Sequence, residues 1–273
     1  MAYMNKNAEL KNGYNAYIDS SVDDMGTQMD MGTQMDVGLL LMEAGDTYVY
    51  EDAKKEVAIL LFSGSVTYEW DGKKVEADRP DCFHHDAYCL LAGCGTKVTI
   101  TAKAHSELYI QATVNETPYE AVMYTPDKVQ VEHKGFGGEL MGCMSREIKT
   151  FFDLDNAPFS KMVLGEVLNL PGKWSSYPPH HHPQPEVYFY RFDYPDGFGA
   201  GFANGEIFKT QHNGCAVINH GFHSQTAAPG YAMCYAWGIR HLEGDPWDKT
   251  RIDDPEHAWL WKADANDHIY PNH

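Results

Sequence analysis

Residues 174–190 read Trp-Ser-Ser-Tyr-Pro-Pro-His-His-His-Pro-Gln-Pro-Glu-Val-Tyr-Phe-Tyr, with three consecutive histidines near the middle. In a β-strand successive side chains point to opposite faces, so His180 and His182 lie on one face and His181 lies on the other. Two imidazoles on one face of a strand can converge on a single point. This segment therefore predicts a pair of metal ligands.

Two more candidate ligands accompany the pair. Two prolines predict a short loop before a strand over Glu186–Phe192, and the loop allows the Glu186 carboxylate to lie beside the imidazoles. His223 follows an apolar strand and a glycine turn. Imidazoles and a carboxylate suit a borderline divalent metal such as Zn, Mn, Fe, Co or Ni. The predicted ligands of one divalent metal per chain, with Zn or Mn preferred, are His180, His182, Glu186 and His223.

A histidine triplet can also be a solvated loop that binds metal adventitiously. The added glutamate and the later strand-borne histidine favour the ligand set over that alternative. A His-x-His pair, a short gap, a glutamate and a distant histidine resemble the two-part metal motif of the cupin barrels.

The charge of the chain excludes several classes of partner. Its 39 acidic and 21 basic residues give a formal net charge of −18 at pH 7. A nucleic-acid backbone or an anionic membrane surface requires a basic face. No apolar run approaches the roughly 20 residues of a membrane-spanning helix, and the first 15 residues lack a signal-peptide pattern. We predict a cytoplasmic protein with neither nucleic-acid nor membrane partners.

Six cysteines occur without a Cys-x-x-Cys pair and mostly among apolar neighbours. In a reducing compartment such cysteines are small buried side chains, and we expect neither a disulfide framework nor a cysteine nucleophile.

Short apolar or alternating segments separated by turn residues run through most of the chain. This spacing, with Asp-Gly hairpin turns, is typical of an antiparallel sandwich or barrel. No long amphipathic pattern predicts a helix. The predicted strands are Val37–Met42, Glu56–Phe62, Val66–Trp70, Val75–Ala77, Ala87–Leu91, Val98–Ala102, Leu108–Ala112, Arg146–Phe152, Met162–Leu170, Glu186–Phe192, Gly197–Ala203, Glu206–Phe208, Gly214–Asn219 and Tyr231–Trp237.

The strand pattern occurs twice, on either side of a proline-containing connection over Thr113–Gln130. We predict an all-β bicupin with two antiparallel β-barrel domains of the jelly-roll, or double-stranded β-helix, type. The predicted domains are residues 1–125 and residues 126–273.

An alignment of the two halves indicates which barrel holds the metal. Tyr48 and Tyr50 take the positions of His180 and His182, and Lys55-Glu56-Val57 aligns with Pro185-Glu186-Val187. We expect the first barrel to lack metal ligands and the second to carry the site.

A tandem hexad, Met-Gly-Thr-Gln-Met-Asp, fills Met25–Asp30 and again Met31–Asp36. Two copies of so short a period cannot build a solenoid, so we predict a surface loop.

The segment Gly172–His182 resembles the 5-deoxy-glucuronate isomerases of inositol catabolism, which carry a G-x-W-S-S-Y-P-P-H-x-H signature. Similarity extends over essentially all of Val131–Trp261 and, more loosely, over the first half. The resemblance implies a bicupin with one divalent metal that interconverts an aldose-type and a ketose-type uronate. The 4-deoxy-5-ketouronate isomerases of pectin breakdown form a sister group, and the Trp-Ser-Ser-Tyr-Pro-Pro match favours the inositol branch.

The implied reaction converts 5-deoxy-glucuronate to 5-dehydro-2-deoxy-gluconate and requires a base to move a proton between neighbouring carbons. Glu186 is counted as catalytic as well as metal-binding. The candidates for the base are its neighbours Tyr188, Tyr190 and His181. Each of the three is equally consistent with packing or with support of a ligand.

The substrate is a small sugar acid, so a local cation must offset the negative field of the protein. Arg146, Lys173 and Arg191 are the candidates, because an arginine can bind a carboxylate through two hydrogen bonds. Surface pairing with acidic residues is the alternative for each. Two other functions stay open: an oxygen-using metallo-cupin, and a sugar-binding cupin without turnover. We also expect a homo-oligomer.

Overall fold

The computed structural model of the chain describes residues 2–20, 23–24, 27–28 and 32–272. These residues form strands joined by turns and short 3₁₀ helices, and the predicted all-β class is confirmed. Among them, no helix is long and apolar enough to cross a membrane. The strands are β1 (Ala2–Asn5), β2 (Gly13–Ile18), β3 (Asp23–Asp24), β4 (Thr27–Gln28), β5 (Met35–Met42), β6 (Thr47–Tyr50), β7 (Lys55–Trp70), β8 (Lys73–Arg79), β9 (Cys89–Ala92), β10 (Val98–Ala102), β11 (Ser106–Val114), β12 (Val122–Tyr124), β13 (Gln130–Lys134), β14 (Arg146–Phe152), β15 (Met162–Asn169), β16 (Trp174–His181), β17 (Glu186–Phe192), β18 (Phe198–Ala203), β19 (Glu206–Gln211), β20 (Gly214–Ile218), β21 (His223–Ala227), β22 (Met233–Arg240) and β23 (Ile252–Asp253). The 3₁₀ helices span Asn7–Glu9, Pro126–Lys128, Glu139–Gly142, Ala258–Trp261 and Ala265–His268.

Most strands belong to three antiparallel sheets. The nine-stranded sheet follows the order β12-β9-β7-β11-β5-β2, with β10, β6 and β8 joined to it. The seven-stranded sheet has the order β1-β20-β17-β22-β15-β14-β13, and the five-stranded sheet has the order β19-β18-β21-β16-β23. The second half therefore places β17 in one sheet and β16 and β21 in another, and these three strands carry the predicted ligands.

Two predicted strands merge into the single strand β7, because the segment between them is not a turn. Gly64 has a φ of +111°, and a Cβ there would lie 2.5 Å from the His105 carbonyl oxygen. The pairing of β7 with β11 shifts register at Glu107 and Leu108. Glycine here permits a bulge within a continuous strand, where the sequence had predicted a break between two strands.

Alternation along β17 separates two cores. Val187 and Phe189 point into a buried apolar core shared by the nine-stranded and seven-stranded sheets. Tyr188 and Tyr190 point the other way, into the interior of the second half. The same strand thus packs the halves together with one face and builds the site with the other.

The interior of the first half is apolar. Its buried side chains include Ile59, Leu61, Ile100 and Ile110, each no more than 2% exposed. Among the described residues, the histidine and carboxylate group that could hold a metal ion lies in the second half and not in this interior.

A buried ion pair also joins the halves. Arg79 at the end of β8 is bidentate to Glu166 on β15, with nitrogen to oxygen distances of 2.5 and 3.0 Å. Both side chains are at most 1% exposed. Arg79 also donates to the Leu61 carbonyl at 2.7 Å, so most of its donors are satisfied inside the protein.

Strand β1 lies in the sheet of the opposite half. Ala2 pairs with Val217, and Asn5 pairs with Gly214. The Gln211 amide donates to the Tyr3 hydroxyl at 2.9 Å, so a side chain of β1 also holds this strand in place. The sequence did not predict this pairing.

The hexad repeat lies partly outside the described residues. At the end of its second copy, Met35 is fully buried at the start of β5. The Asp36 carboxylate accepts a hydrogen bond from Lys55 at 2.6 Å. The predicted surface loop is wrong for this end, because the side chains of β5 extend into the core between the halves.

All six cysteines are free, and five of them are buried as predicted. Cys143 is exposed, and the prediction is wrong there because this residue follows a surface 3₁₀ turn at Glu139–Gly142.

Candidate metal centre

Strand pairing brings the predicted histidines together. His180 on β16 lies opposite His223 on β21, and His182 follows the end of β16. Glu186 is the first residue of β17, as the two prolines predicted. The ligand candidates thus come from three strands of two different sheets.

Three of these side chains converge on one point. Glu186 Oε2 lies 3.3 Å from His182 Nε2 and 3.3 Å from His223 Nε2. All three residues are buried, at 3–6% exposure. Tetrahedral ligands about 2.1 Å from one ion lie roughly 3.4 Å apart, so the observed spacing fits a common metal.

His180 sits beside this group. Its ring centre is 4.4 Å from that of His223 and 6.3 Å from that of His182. Burial, together with the nearby His223 and Arg251, holds the pKa of His180 well below its usual value, which favours the neutral imidazole that a metal requires. His181 instead packs edge-on against Phe222 at 5.0 Å, away from the cluster.

The donor set fits a divalent metal. Nδ1 of His223 is buried without a hydrogen-bond partner among the described residues, and its Nε2 faces Glu186 Oε2 at 3.3 Å. Burial alone would raise the pKa of Glu186, but the close imidazoles of His182 and His223 outweigh it and lower that pKa. A carboxylate held ionised among buried imidazoles is a donor set that suits a divalent metal ion.

Tyr188 supports the carboxylate. Its hydroxyl donates a hydrogen bond to Glu186 Oε2 at 2.9 Å. Burial, and then the charge of Glu186, raises the pKa of Tyr188 well above its usual value, so the phenol keeps its proton. Such a hydrogen bond comes from a residue that does not itself bind the metal, and it fixes the orientation of the residue that does.

A local break in β16 turns two consecutive serines inward. Ser176 adopts a left-handed φ of +51°, and the β16–β21 register shifts between Ser175 and His180. Ser175 Oγ is hydrogen-bonded to Tyr235 Oη at 2.5 Å, and Ser176 Oγ to Tyr188 Oη at 3.2 Å. In a regular strand these serines would face opposite sides. The break therefore positions two phenols on one wall.

A cavity of about 470 Å³ opens at the ligand cluster. Trp237 and Trp247 form an aromatic part of its wall, with ring centres 5.8 Å apart. Trp247 also lies 6.1 Å from the His182 ring. The positively charged residues that line the cavity are Arg146, Lys249 and Arg251.

The sequence had singled out Arg146, but not several other residues of this wall. Tyr235 and Trp237 share the inward face of β22, a parity that the predicted strand Tyr231–Trp237 already contained. Trp247 and Arg251 come from an irregular segment after β22, where no periodic signal identifies them.

Three candidates lie elsewhere. Tyr190 is fully buried among Tyr3, Tyr188 and Tyr235, and it does not line the cavity. Lys173 also lies outside the cavity lining. Arg191 pairs with Glu107 of the first half at 2.5 Å.

The corresponding positions of the first half are apolar or aromatic. Tyr48 lies opposite Ile100, as His180 lies opposite His223. Glu56, which aligns with Glu186 in sequence, faces away from the first interior and accepts a hydrogen bond from the Lys161 amide at 2.7 Å. Val57 takes the inward position. A shift of one residue along the strand reverses the face, so the Glu56 carboxylate lies at the contact between the halves.

A family model described as the KduI/IolB family matches residues 11–260. The 5-deoxy-glucuronate isomerase of Geobacillus thermodenitrificans (strain NG80-2) is 23% identical over 237 residues, which cover 80% of this chain and 83% of that protein. The 5-deoxy-glucuronate isomerase of Lacticaseibacillus casei is 23% identical over 283 residues, which cover 95% of this chain and 98% of that protein.

Solved structures show the same fold. An IolB-like protein from Salmonella typhimurium LT2 superposes with a TM-score of 0.79 at 18% identity, covering 92% of this chain and 96% of that one. The oxalate decarboxylase of Lactobacillus farciminis, in a formate complex, has a TM-score of 0.59 at 9% identity, covering 85% and 82%. Likeness at these identities concerns the fold alone.

Proposed function

The chain belongs to the KduI/IolB family, and from that premise we propose that it is a metal-dependent aldose–ketose isomerase acting on 5-deoxy-glucuronate. The product would be 5-dehydro-2-deoxy-gluconate. The observation that carries the proposal is the buried cluster of His182, Glu186 and His223 at a cavity that also holds an arginine. Relatives named 5-deoxy-glucuronate isomerase match the chain over most of its length.

His182, Glu186 and His223 would hold the metal, with His180, whose ring centre lies 4.4 Å from that of His223, as the fourth ligand. A bound divalent metal supplies Lewis-acid stabilisation of the two neighbouring sugar oxygens that gain negative charge.

The remaining roles belong to the residues around the cluster. Tyr188 keeps a proton on its hydroxyl and directs it at Glu186, which fixes the orientation of that carboxylate. We assign Tyr188 to the catalytic group because its phenol lies on the cavity wall beside a ligand. Trp237 and Trp247 exclude water from one side of the cavity. Arg146 supplies positive charge for a sugar acid.

Tyr190 and Lys173 do not line the cavity, so we give them no catalytic role. The division into barrels 1–125 and 126–273, the preference for Zn or Mn, a homo-oligomeric state and a cytoplasmic location remain predictions from the sequence.

The test is an NMR assay of the purified, metal-loaded protein under anaerobic conditions, with 5-deoxy-glucuronate and 4-deoxy-5-ketouronate in parallel. We expect interconversion of the first sugar with 5-dehydro-2-deoxy-gluconate toward one mixture from either direction, and loss of activity on chelation.

The outcomes separate the alternatives. Turnover of 4-deoxy-5-ketouronate alone would assign the chain to the pectin branch, since the family also includes that isomerase. Turnover that requires oxygen would favour the oxygen-using alternative. Full metal occupancy without turnover of either sugar would contradict an isomerase and favour a binding protein.

A further inference from the structure

We propose that Arg146 and Arg251 together form the subsite for the substrate carboxylate and thereby select uronates over neutral sugars. This assignment rests on the proposed isomerase function and adds the residues that determine its substrate class.

Arg146 is a buried cation without an anionic partner. Its side chain is 4% exposed and lines the cavity from β14. One guanidinium nitrogen donates to the Met144 carbonyl at 2.9 Å. Within the described part of the chain, no carboxylate lies within 4.0 Å of it. A buried, unpaired charge is unfavourable in a folded protein, so a ligand carboxylate is the natural partner for it.

Arg251 is held in place beside the metal ligands. Its Nε lies 2.5 Å from Asp253 Oδ1, and its Nη2 donates to the Pro178 carbonyl. Asp253 in turn pairs with His180 through the backbone of β23 and β16. The guanidinium also lies over the Trp261 ring, 5.2 Å from the ring centre, and its Nη1 makes no hydrogen bond among the described residues. A guanidinium fixed in this way loses little freedom when it binds a carboxylate.

The other charges of the cavity wall are already paired. Lys249 contacts Asp153 at 3.1 Å and Asp155 at 2.5 Å. Glu132 contacts Lys134 at 2.8 Å. After these pairs are formed, Arg146 is the cation of the wall that has no salt bridge among the described residues, and the charge of Glu132 acts on it only from a longer distance.

The two arginines also influence each other. Burial lowers the pKa of Arg146, and the positive charge of Arg251 lowers it further, although Tyr235, Glu132 and Tyr188 act in the opposite direction. A carboxylate placed between the two guanidiniums would relieve that repulsion and could accept two hydrogen bonds from either. A hydroxymethyl group at the same place would do neither.

The experiment compares two ligands on four metal-loaded variants. The acid is 5-deoxy-glucuronate, and the neutral ligand is the same sugar with a hydroxymethyl group in place of the carboxylate. Dissociation constants come from calorimetry, and kcat and KM come from the NMR assay. The variants are Arg146→Gln, Arg251→Gln, the conservative Arg146→Lys, and Lys262→Gln as a matched loss of charge outside the cavity.

We expect the wild type to prefer the acid and each glutamine substitution in the cavity to lower that preference by roughly 100-fold. The change should appear in Kd and KM for the acid, while the neutral ligand is bound as before. Arg146→Lys should restore part of the preference, and Lys262→Gln should keep all of it.

Equal loss of both ligands would show that the arginines only support the fold, and an unchanged preference would show that they do not bind the carboxylate. Either result overturns the subsite, and Arg251→Gln and Arg146→Lys decide the matter if Arg146→Gln does not fold. Acid-selective binding that depends on both arginines, without turnover, would uphold the subsite and contradict the isomerase.

Discussion

One carboxylate oxygen concentrates the contacts of the site. Glu186 Oε2 lies within 3.3 Å of two imidazole nitrogens and accepts the Tyr188 hydroxyl at 2.9 Å. Because the side chain is buried, the loss of one of these contacts leaves a polar group poorly solvated. Substitutions at this residue and its neighbour should therefore affect the metal more than the fold.

Glu186→Gln keeps the shape of the side chain and removes its charge. We expect metal affinity to fall by at least about 100-fold, since an ionised ligand is lost among neutral imidazoles. Metal-buffer titration measures the change, and circular dichroism should report an intact fold. Glu206→Gln, at an exposed position of β19, is the control that should bind metal normally. Wild-type affinity in the Glu186 variant would contradict its role as a ligand.

Tyr188→Phe removes only the hydroxyl that orients Glu186. Loss of such a supporting bond typically costs 10–100-fold in metal affinity or activity, and we expect a decrease of about that size. Tyr190 lies two residues further along β17, on the same face but outside the cavity lining. Tyr190→Phe should therefore leave metal affinity unchanged. Identical affinities for the two variants would show that the Tyr188 bond is incidental.

The segment after β22 closes one side of the cavity, and a histidine holds it. His241 Nδ1 accepts the Trp247 amide at 2.9 Å. His241 is 4% exposed, and burial, followed by the nearby Arg240 and Lys161, lowers its pKa to about 4. Protonation would remove the acceptor, so this attachment of Trp247 depends on pH.

The sign of the effect follows from proton uptake. Between about pH 6.5 and pH 4 the unfolded chain binds a proton at His241 and the folded chain does not, so the free energy of unfolding should fall by up to ~3 kcal/mol as the pH decreases through this window. His241→Gln should lessen that decline in urea denaturation at pH 7 and pH 4.5. The exposed His84→Gln is the control. An unchanged decline in the His241 variant would refute the assignment.

Prediction from sequence succeeded where one rule decided the local structure. β10, β14 and β17 have the predicted bounds. In β10 and β17 the alternation between two faces decides the strand, and β14 keeps its predicted bounds although its pairing with β15 shifts register between Thr150 and Phe152. Prediction failed at Gly64, where a positive φ allows a bulge without ending the strand, and it did not foresee the similar conformation of Ser176. The positions of Trp247 and Arg251 depend on tertiary contacts alone, and no local pattern encodes such contacts.

At the scale of the whole molecule, two halves share one apolar core and several buried polar contacts. The Arg79–Glu166 pair crosses between them without access to water. Charges taken out of water are costly, and only mutual contact offsets that cost. Breaking this pair should therefore destabilise both halves.

Arg79→Met should lower the free energy of unfolding by about 3–5 kcal/mol, because the buried Glu166 loses its bidentate partner and keeps only the longer contact with Lys149 at 3.7 Å. The double change Arg79→Met with Glu166→Met should recover most of this loss, and Lys149 would keep Glu147 at 3.1 Å as a partner. Chemical denaturation of the four proteins measures the coupling. Lys103→Met, at an exposed pair with Glu76, should cost less than about 1 kcal/mol. A double variant as unstable as the single one would rule out this explanation.

The pairing of β1 with β20 has a consequence for synthesis on the ribosome. Gln211, which binds Tyr3, is made 208 residues after it. At roughly 5–20 residues per second, β1 emerges about 10–40 s before its partner strand exists. During that interval the first half can fold, while β1 has no partner strand. Closure of the seven-stranded sheet is then a late event of translation, and until it occurs the nascent chain carries two unpaired strand edges that chaperones can recognise.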